Sequence, residues 1–222
     1  MITRYFGLPG SGKTSLATKL AIDEVKRIAL GVSKYKYVFT NFKVNHPFVF
    51  QIRNEYIGQY NIEDSLTIID EAYMFAGARS WKSYSAETME YMNTHRHYTS
   101  DINDARNDII IITQGANAID SSLRQITEKC VYIKKCKLNP NKTRLIELIL
   151  TPIIPIKKGL MSNDNSQGDV AEDIPIGYQM PSFWGQLRSP TFDRRPYYKY
   201  FDTTERKQLP PLPDEVFLRS FK

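Results

Sequence analysis

The sequence predicts an α/β domain with a mainly parallel sheet flanked by helices, and three observations predict it. Short apolar runs end abruptly in polar residues: 66–69 before Asp70-Glu71, and 109–113 before Gln114. They have the length and unbroken hydrophobicity of strands buried on both faces. Between such runs lie segments with helical spacing. The clearest is 14–30, where Leu16, Leu20, Ala21, Val25 and Ile28 recur about once per turn. A glycine-rich loop joins the first short strand directly to this first helix, and strands alternating with helices favour parallel pairing.

In chain order, residues 2–6 read as the opening strand and 37–40 as the next after the first helix. Residues 66–69 form a buried strand, and 83–92 form a helix. Residues 109–113 give a second buried strand, and 119–127 the helix after it. Residues 130–135 and 143–150 read as later strands. From Pro152 onward the character changes, with prolines recurring as far as Pro213 and a polar stretch over 161–173 that reads as a loop. Two regions follow: a core domain over 1–152, and a proline- and aromatic-rich C-terminal extension over 153–222 packed on the core or on a neighbouring subunit. Within it, Trp184, Phe192, Tyr197, Tyr198 and Tyr200 lie among Arg188, Arg194, Arg195 and Lys199. Such a pattern can stack on nucleotides or pack a proline-rich arm, and packing is favoured. The extension is expected to serve subunit or DNA contact and to matter little for nucleotide affinity.

At 222 residues, 41% hydrophobic and 24% charged, the chain has material for a folded core. A net charge of +6 permits contact with nucleic acid or anionic lipid without requiring it. The two cysteines, Cys130 and Cys136, have no histidines near them in sequence and read as reduced thiols. The glycine loop begins at Gly7, so residues 1–6 are not expected to be a signal peptide. The longest apolar stretch, 145–156, is broken by Glu147, Thr151, Pro152 and Pro155, so the chain is not expected to cross a membrane by itself.

The loop Gly7-Leu8-Pro9-Gly10-Ser11-Gly12-Lys13-Thr14, continued by Ser15, fits G-x-x-x-x-G-K-[ST]. Its glycines let the backbone curl so that N–H groups face phosphate oxygens, and the following helix adds its positive N-terminal end. Lys13 would reach the β- and γ-phosphates, and the Thr14 hydroxyl would serve Mg²⁺. The expected nucleotide is ATP, with GTP the alternative. Asp70, at the end of a buried strand, is where a second magnesium ligand belongs, and Glu71 beside it can act as general base toward water. Gln114 follows the next strand, where an amide can touch the γ-phosphate and the lytic water; an ordinary strand-end glutamine is the equal alternative.

These pieces together resemble the zonula occludens toxin (Zot) family of phage assembly ATPases, within the wider FtsK–HerA class of nucleic-acid motors. The residues that carry the resemblance span about the first 135 positions. They are the glycine loop, then Phe39-Thr40-Asn41, then Ile68-Ile69-Asp70-Glu71-Ala72 with Arg79 downstream. His95-Arg96-His97-Tyr98, the strand ending Thr113-Gln114, and Ile119-Asp120 with Arg124 complete the set. The resemblance implies ATP and Mg²⁺ as cofactors, and assembly with copies of itself into a ring, a hexamer being the expected form. It implies DNA as the load, and phage capsid or membrane assembly proteins as further partners. The place of action would be the cytoplasm of an infected bacterial host, at the membrane periphery or a virion vertex. Arg124 becomes the candidate that stabilises a neighbour's γ-phosphate.

Two departures stand out. Residues 99–107 separate the His-Arg-His element from the following strand, so Arg96 and Arg106 join Arg79 as reserve candidates for that arginine. No spanning helix follows the domain, which moves the expectation from virion export toward genome packaging. His95 and His97 read equally as solvated side chains at a helix end. A small-molecule or nucleoside kinase and a non-catalytic ATP-binding scaffold are the rival classes. Glu71 and Gln114 favour hydrolysis of water over transfer to a kinase acceptor, and measured turnover would separate the scaffold.

Overall fold

Four consecutive isoleucines, Ile109 to Ile112, are all buried, and they show how the sheet is covered. They belong to β5 (Asp108–Thr113). Because side chains alternate across a strand, Ile109 and Ile111 enter one apolar cluster and Ile110 and Ile112 another on the opposite face. A strand with such a sequence needs a layer on each side, and it gets one. The computed structural model describes residues 1–57, 59, 62–72, 86–100, 106–115, 118–119, 121–152 and 176–202.

β1 (Ile2–Phe6) runs into the glycine loop and then α1 (Lys13–Ala29). Leu16, Ala17, Ala21, Ile22 and Val25 form the buried stripe of α1; all but Leu16 pack with Val38, Leu66, Ile68, Ile110 and Ile112 on one face of the sheet. Truncating Leu16 or Ile22 to alanine would cost about 2–5 kcal/mol. β2 (Tyr37–Thr40), β3 (Phe50–Gln51) and β4 (Ser65–Ile69) follow. α2 (Ala86–Thr94) and α3 (Ser121–Gln125) cover the other face, through Tyr91, Met92 and Leu123. β6 (Lys129–Lys135) and β7 (Lys142–Glu147) form a hairpin, and β8 (Ile149–Pro152) pairs with β9 (Ile176–Gln179) as a separate ribbon. α4 (Phe183–Arg188), β10 (Thr191–Asp193) and a 3₁₀ turn (Arg195–Tyr200) come last.

The main sheet has eight strands in the order β10-β7-β6-β1-β5-β4-β2-β3. Strands β6, β1, β5, β4, β2 and β3 run parallel to one another, and β7 and β10 add antiparallel pairings beside β6. This is the mainly parallel, helix-flanked sheet that the sequence predicts. Three details differ. The strand expected over 143–150 divides at Leu148, whose N–H still donates to Cys130 O of β6 at 2.9 Å, and from Ile149 the chain pairs with β9. The helix expected over 119–127 spans only Ser121–Gln125, and the one expected over 83–92 runs from Ala86 to Thr94, with 83–85 outside the described residues. The polar stretch 161–173 also lies outside them.

The extension returns to the core. β10 extends the main sheet by pairing with β7, and Phe192 packs with Leu16 and Ile133. Tyr197 and Tyr200 pack as partly buried rings against the clusters that hold α1. Both cysteines are free, with Cys130 buried and accepting a hydrogen bond from Arg4 Nη2 at 3.3 Å. Among the described residues, no helix is long and apolar enough to cross a membrane.

Candidate functional site

Parallel strands place their C-terminal ends, and the loops that follow, along one edge of the sheet. β1 ends there in the glycine loop, β4 in Asp70-Glu71 and β5 in Gln114, and the three strands are neighbours. A cleft of about 880 Å³ lies at this edge. Pro9, Gly10, Gly12, Lys13, Thr14 and Ser15 line it from the loop and helix, and Asp70, Glu71 and Gln114 from the strand ends. Gly7, Leu8 and Ser11 belong to the same loop; Ser11 is buried, and its N–H donates to Leu8 O at 3.1 Å.

Two glycines in the loop are required by its geometry. A Cβ on Gly7 would lie 2.5 Å from Ile133 O. Gly12 has φ +97°, and a Cβ there would lie 2.5 Å from Arg194 Cδ and 2.7 Å from Thr143 Oγ1. Gly12 is also the residue before α1, and no side chain caps that helix. The first N–H groups of a helix have no partner inside it, so the N-terminus of α1 offers them, with its dipole, to an anion in the cleft.

Lys13 is buried, and its Nζ donates to Gly7 O at 2.9 Å and Leu8 O at 3.1 Å. Burial lowers its pKa, and the charges of Asp70 and Glu71 pull it back upward. Asp70 is buried as well. Burial raises its pKa, against the Thr14 hydroxyl and the Glu71 N–H, which favour the carboxylate. Thr14 Oγ1 donates to Asp70 Oδ2 at 2.8 Å. The edge of an octahedron of oxygens around Mg²⁺ is about 2.9 Å, given metal–oxygen distances of about 2.0–2.1 Å. The two oxygens therefore stand at the separation of adjacent magnesium ligands, and both are hard donors, so the pair fits the ion.

Glu71 sits at φ +50°, in the left-handed region that glutamate rarely adopts. Its N–H donates to Asp70 Oδ1 at 2.9 Å. Asn41, just after β2, holds this turn at two points. Its Oδ1 accepts from Asp70 N at 2.7 Å, and its Nδ2 donates to Asp70 O at 2.8 Å. The sequence marks Asn41 through the Phe39-Thr40-Asn41 element but assigns it no task. The structure shows it clamping the backbone that aims both carboxylates.

The remaining arginine candidates lie elsewhere. Arg124 is in α3, and three residues later Thr127 N donates to its carbonyl at 3.4 Å. Glu128 N then donates to Ile2 O at the start of β1, which places Arg124 near the sheet edge opposite the glycine loop. Arg96 is ion-paired with Glu128 at that same edge, and Arg106 precedes β5 there. Arg79 lies outside the described residues. His95 is buried rather than solvated, with Nδ1 2.9 Å from Met92 O and Nε2 3.1 Å from the Met1 amine; burial lowers its pKa. It is part of the packing at the far edge.

Sequence reasoning missed three lining residues: Arg194, Tyr198 and Phe201, all from the extension. The extension, expected to matter little for nucleotide affinity, thus contributes part of the cleft wall. The aromatic and basic composition was visible, but a contact such as Arg194 with Gly10, 184 positions apart, has no local signature.

Residues 1–140 match the model of the family described as Zonular occludens toxin (Zot). No curated protein matches the chain. Among solved structures, the chain is similar to the N-terminal domain of zonular occludens toxin from Neisseria meningitidis. The identity is 28% and the TM-score 0.45, with 66% of this chain and 82% of that chain covered. It is also similar to the genome packaging NTPase B204 from Sulfolobus turreted icosahedral virus 2 in complex with ATP-gammaS. There the identity is 14% and the TM-score 0.42, with 66% and 91% covered.

Proposed function

The chain belongs to the zonular occludens toxin (Zot) family, and from that premise we propose that it is an ATP-hydrolysing motor subunit of phage assembly. One observation carries the reading: Lys13, Thr14, Asp70, Glu71 and Gln114, from three neighbouring strand ends, line a single cleft. The α1 N-terminus and Lys13 bind the polyphosphate. Thr14 and Asp70 would hold Mg²⁺, which would neutralise charge developing on the transferred phosphoryl group. Glu71, exposed and turned into the cleft by the Asn41 clamp, takes a proton from the attacking water. Gln114 orients that water.

The load in this reading is DNA, moved during genome packaging or virion export. A groove of about 530 Å³ supports it. Lys134, Lys135, Lys137, Lys142 and Arg144 line that groove, and among the described residues no carboxylate does. Such a surface suits a phosphate backbone, whose binding weakens steeply with salt. Arg124, Arg96 and Arg106 lie at the edge opposite the cleft, so a role for any of them at a γ-phosphate requires a neighbouring subunit in a ring.

Steady-state phosphate release, measured with and without DNA, tests the proposal. Lys13→Ala should abolish turnover through loss of binding, and Glu71→Gln should bind ATP but not hydrolyse it. Normal hydrolysis by Lys13→Ala would reject the site. Hydrolysis by Glu71→Gln at the wild-type rate would reject the role of Glu71. Transfer of the γ-phosphate to a small acceptor in place of water would favour the kinase class.

A further inference from the structure

The cleft has a wall that is neither glycine loop nor strand end. It is built by the extension, through Arg194, Tyr198 and Phe201. The segment is fixed at both ends. β10 ties its start to β7, and the backbone N–H of Arg194 donates to Asn141 O at 3.0 Å. At the far end Asn45 N donates to Tyr200 O at 2.6 Å. Between them Tyr197 lies against α1, with Lys19 Nζ 5.9 Å from its ring centre. The Arg194 guanidinium donates to Gly10 O at 3.3 Å and also to Pro140 O. The extension thus crosses the first helix as a strap stitched to the glycine loop itself.

We propose that Tyr198 and Phe201 form the seat for the base of the bound nucleotide, with Arg194 as the positioning residue that fixes this seat to the loop. The proposal rests on the nucleotide reading above. Lys13, Thr14 and the helix N-terminus account for the phosphates, and Asp70, Glu71 and Gln114 for the metal and the water. These groups are polar or charged, and none offers a flat apolar surface to a heterocycle. The two rings do. Their centroids are 6.2 Å apart at an interplanar angle of 73°, so one ring can stack on a base while the edge of the other borders it. Tyr198 is 45% exposed, leaving ring surface for a ligand to cover.

A triphosphate gripped at the loop leaves its nucleoside to find a surface within one nucleotide's length, and the strap supplies it. A ring can stack on any base, because every base has a π-face. The seat therefore adds affinity without demanding one particular base.

Calorimetric titration of the full chain with Mg²⁺-ATP and with Mg²⁺-tripolyphosphate tests this, because the second ligand has phosphates and no base. Tyr198→Ala and Phe201→Ala should each weaken ATP binding by roughly 5- to 100-fold, the range expected for losing one base–aromatic stack. Tripolyphosphate should bind these variants as it binds the wild type, which also shows that the loop remains folded. Tyr198→Phe, which keeps the ring, should bind ATP within about twofold of the wild type. Unchanged ATP affinity in both alanine variants overturns the seat. An equal loss for ATP and tripolyphosphate also overturns it, since the rings would then merely support the loop. If the wild type binds neither ligand, the nucleotide reading itself fails.

Discussion

β4 begins just after Asp64 and ends just before Asp70, and these two buried aspartates have opposite surroundings. Asp64 is surrounded by donors: Lys36 Nζ at 2.7 Å, Ser100 N at 3.0 Å, Thr99 Oγ1 at 3.1 Å, and the Ser100 hydroxyl. Burial alone would raise its pKa, but these donors together hold it well below the usual carboxylate range. At Asp70 burial wins and the pKa rises, although Thr14 and the Glu71 N–H both donate to it. The same contrast runs along the sheet. Asp108, at the start of β5, is likewise held below its usual value against burial, by Lys34, the N-terminal amine and Tyr35. At the other edge Lys13 is pushed down by burial. One edge is electrostatically satisfied and holds strands and loops together. The other holds a buried cation and a buried carboxylate whose charged forms burial disfavours despite their hydrogen bonds, and so has charge to offer a phosphate and a metal.

The largest expected effect comes from exchanging charge for shape at the unsatisfied end. Asp70→Asn keeps the size and an acceptor oxygen, but removes a metal ligand. Metal stabilisation of transition-state charge is worth several kcal/mol, so turnover should fall by about 10²–10³-fold or more. The stability of the unliganded protein at neutral pH should hold or rise. A carboxyl whose folded pKa is raised favours its protonated form in the fold, so ionisation there is a destabilising event that asparagine avoids. A clear drop in melting temperature with full activity would reverse the assignment of the two ends.

Asp64→Asn should do the opposite. It weakens several charge-assisted hydrogen bonds, each worth about 1.5–3 kcal/mol when lost outright. Because Lys36 is half exposed and amide oxygen still accepts, about 2 kcal/mol overall is the expected cost. That corresponds to about 4–8 °C in Tm for a chain of this size. Turnover per folded molecule should be unchanged. Equal losses of activity and stability would show that the two ends are not separable.

Acid titration sharpens the comparison further. Asp64 and Asp108 have depressed folded pKa values, so their stabilisation is complete above the unfolded value of about 3.9. It is lost as pH falls from there toward their folded values. Asp70, with its raised value, gains stability on protonation over the pH range above 3.9 and offsets part of the loss. Thermal melts from about pH 6 to about pH 2 should therefore be less pH-dependent in Asp64→Asn than in the wild type, and more so in Asp70→Asn. Identical pH profiles for the three proteins would remove the electrostatic contrast.

What the sequence made legible follows this division. β4 and β5 were readable because each holds a short apolar run, and burial on both faces leaves no other use for Ile109 to Ile112. The glycine loop, Asp70, Glu71 and Gln114 were readable because their spacing answers to phosphate chemistry, and the strand order then collects them in one cleft. The satisfied edge was opaque. Nothing local marks Asp64 as the partner of Lys36, Thr99 and Ser100, or His95 as a neighbour of the N-terminus. The strap was opaque for a related reason. Its prolines and aromatics lack a periodic pattern, and its contacts with the loop close over most of the chain length.

The smallest effect tests the backbone. Asp64 and Glu71, the residues flanking β4 and its last aspartate, both have positive φ, 47° and 50°. Aspartate tolerates that region through its short polar side chain, whereas glutamate has no such local compensation. Placing a glycine at an ordinary position costs about 0.5–1 kcal/mol, but a left-handed position returns about 1–2 kcal/mol of relieved strain. Glu71→Gly should therefore leave Tm within about 3 °C of the wild type or above it, while hydrolysis is lost with the carboxylate. Glu71→Gln, which keeps the strain, should lose hydrolysis with no gain in Tm. The pair separates what Glu71 does chemically from what its conformation costs. If Glu71→Gly melts well below Glu71→Gln, the turn is not strained, and the Asn41 clamp merely accompanies a conformation that glutamate adopts without cost.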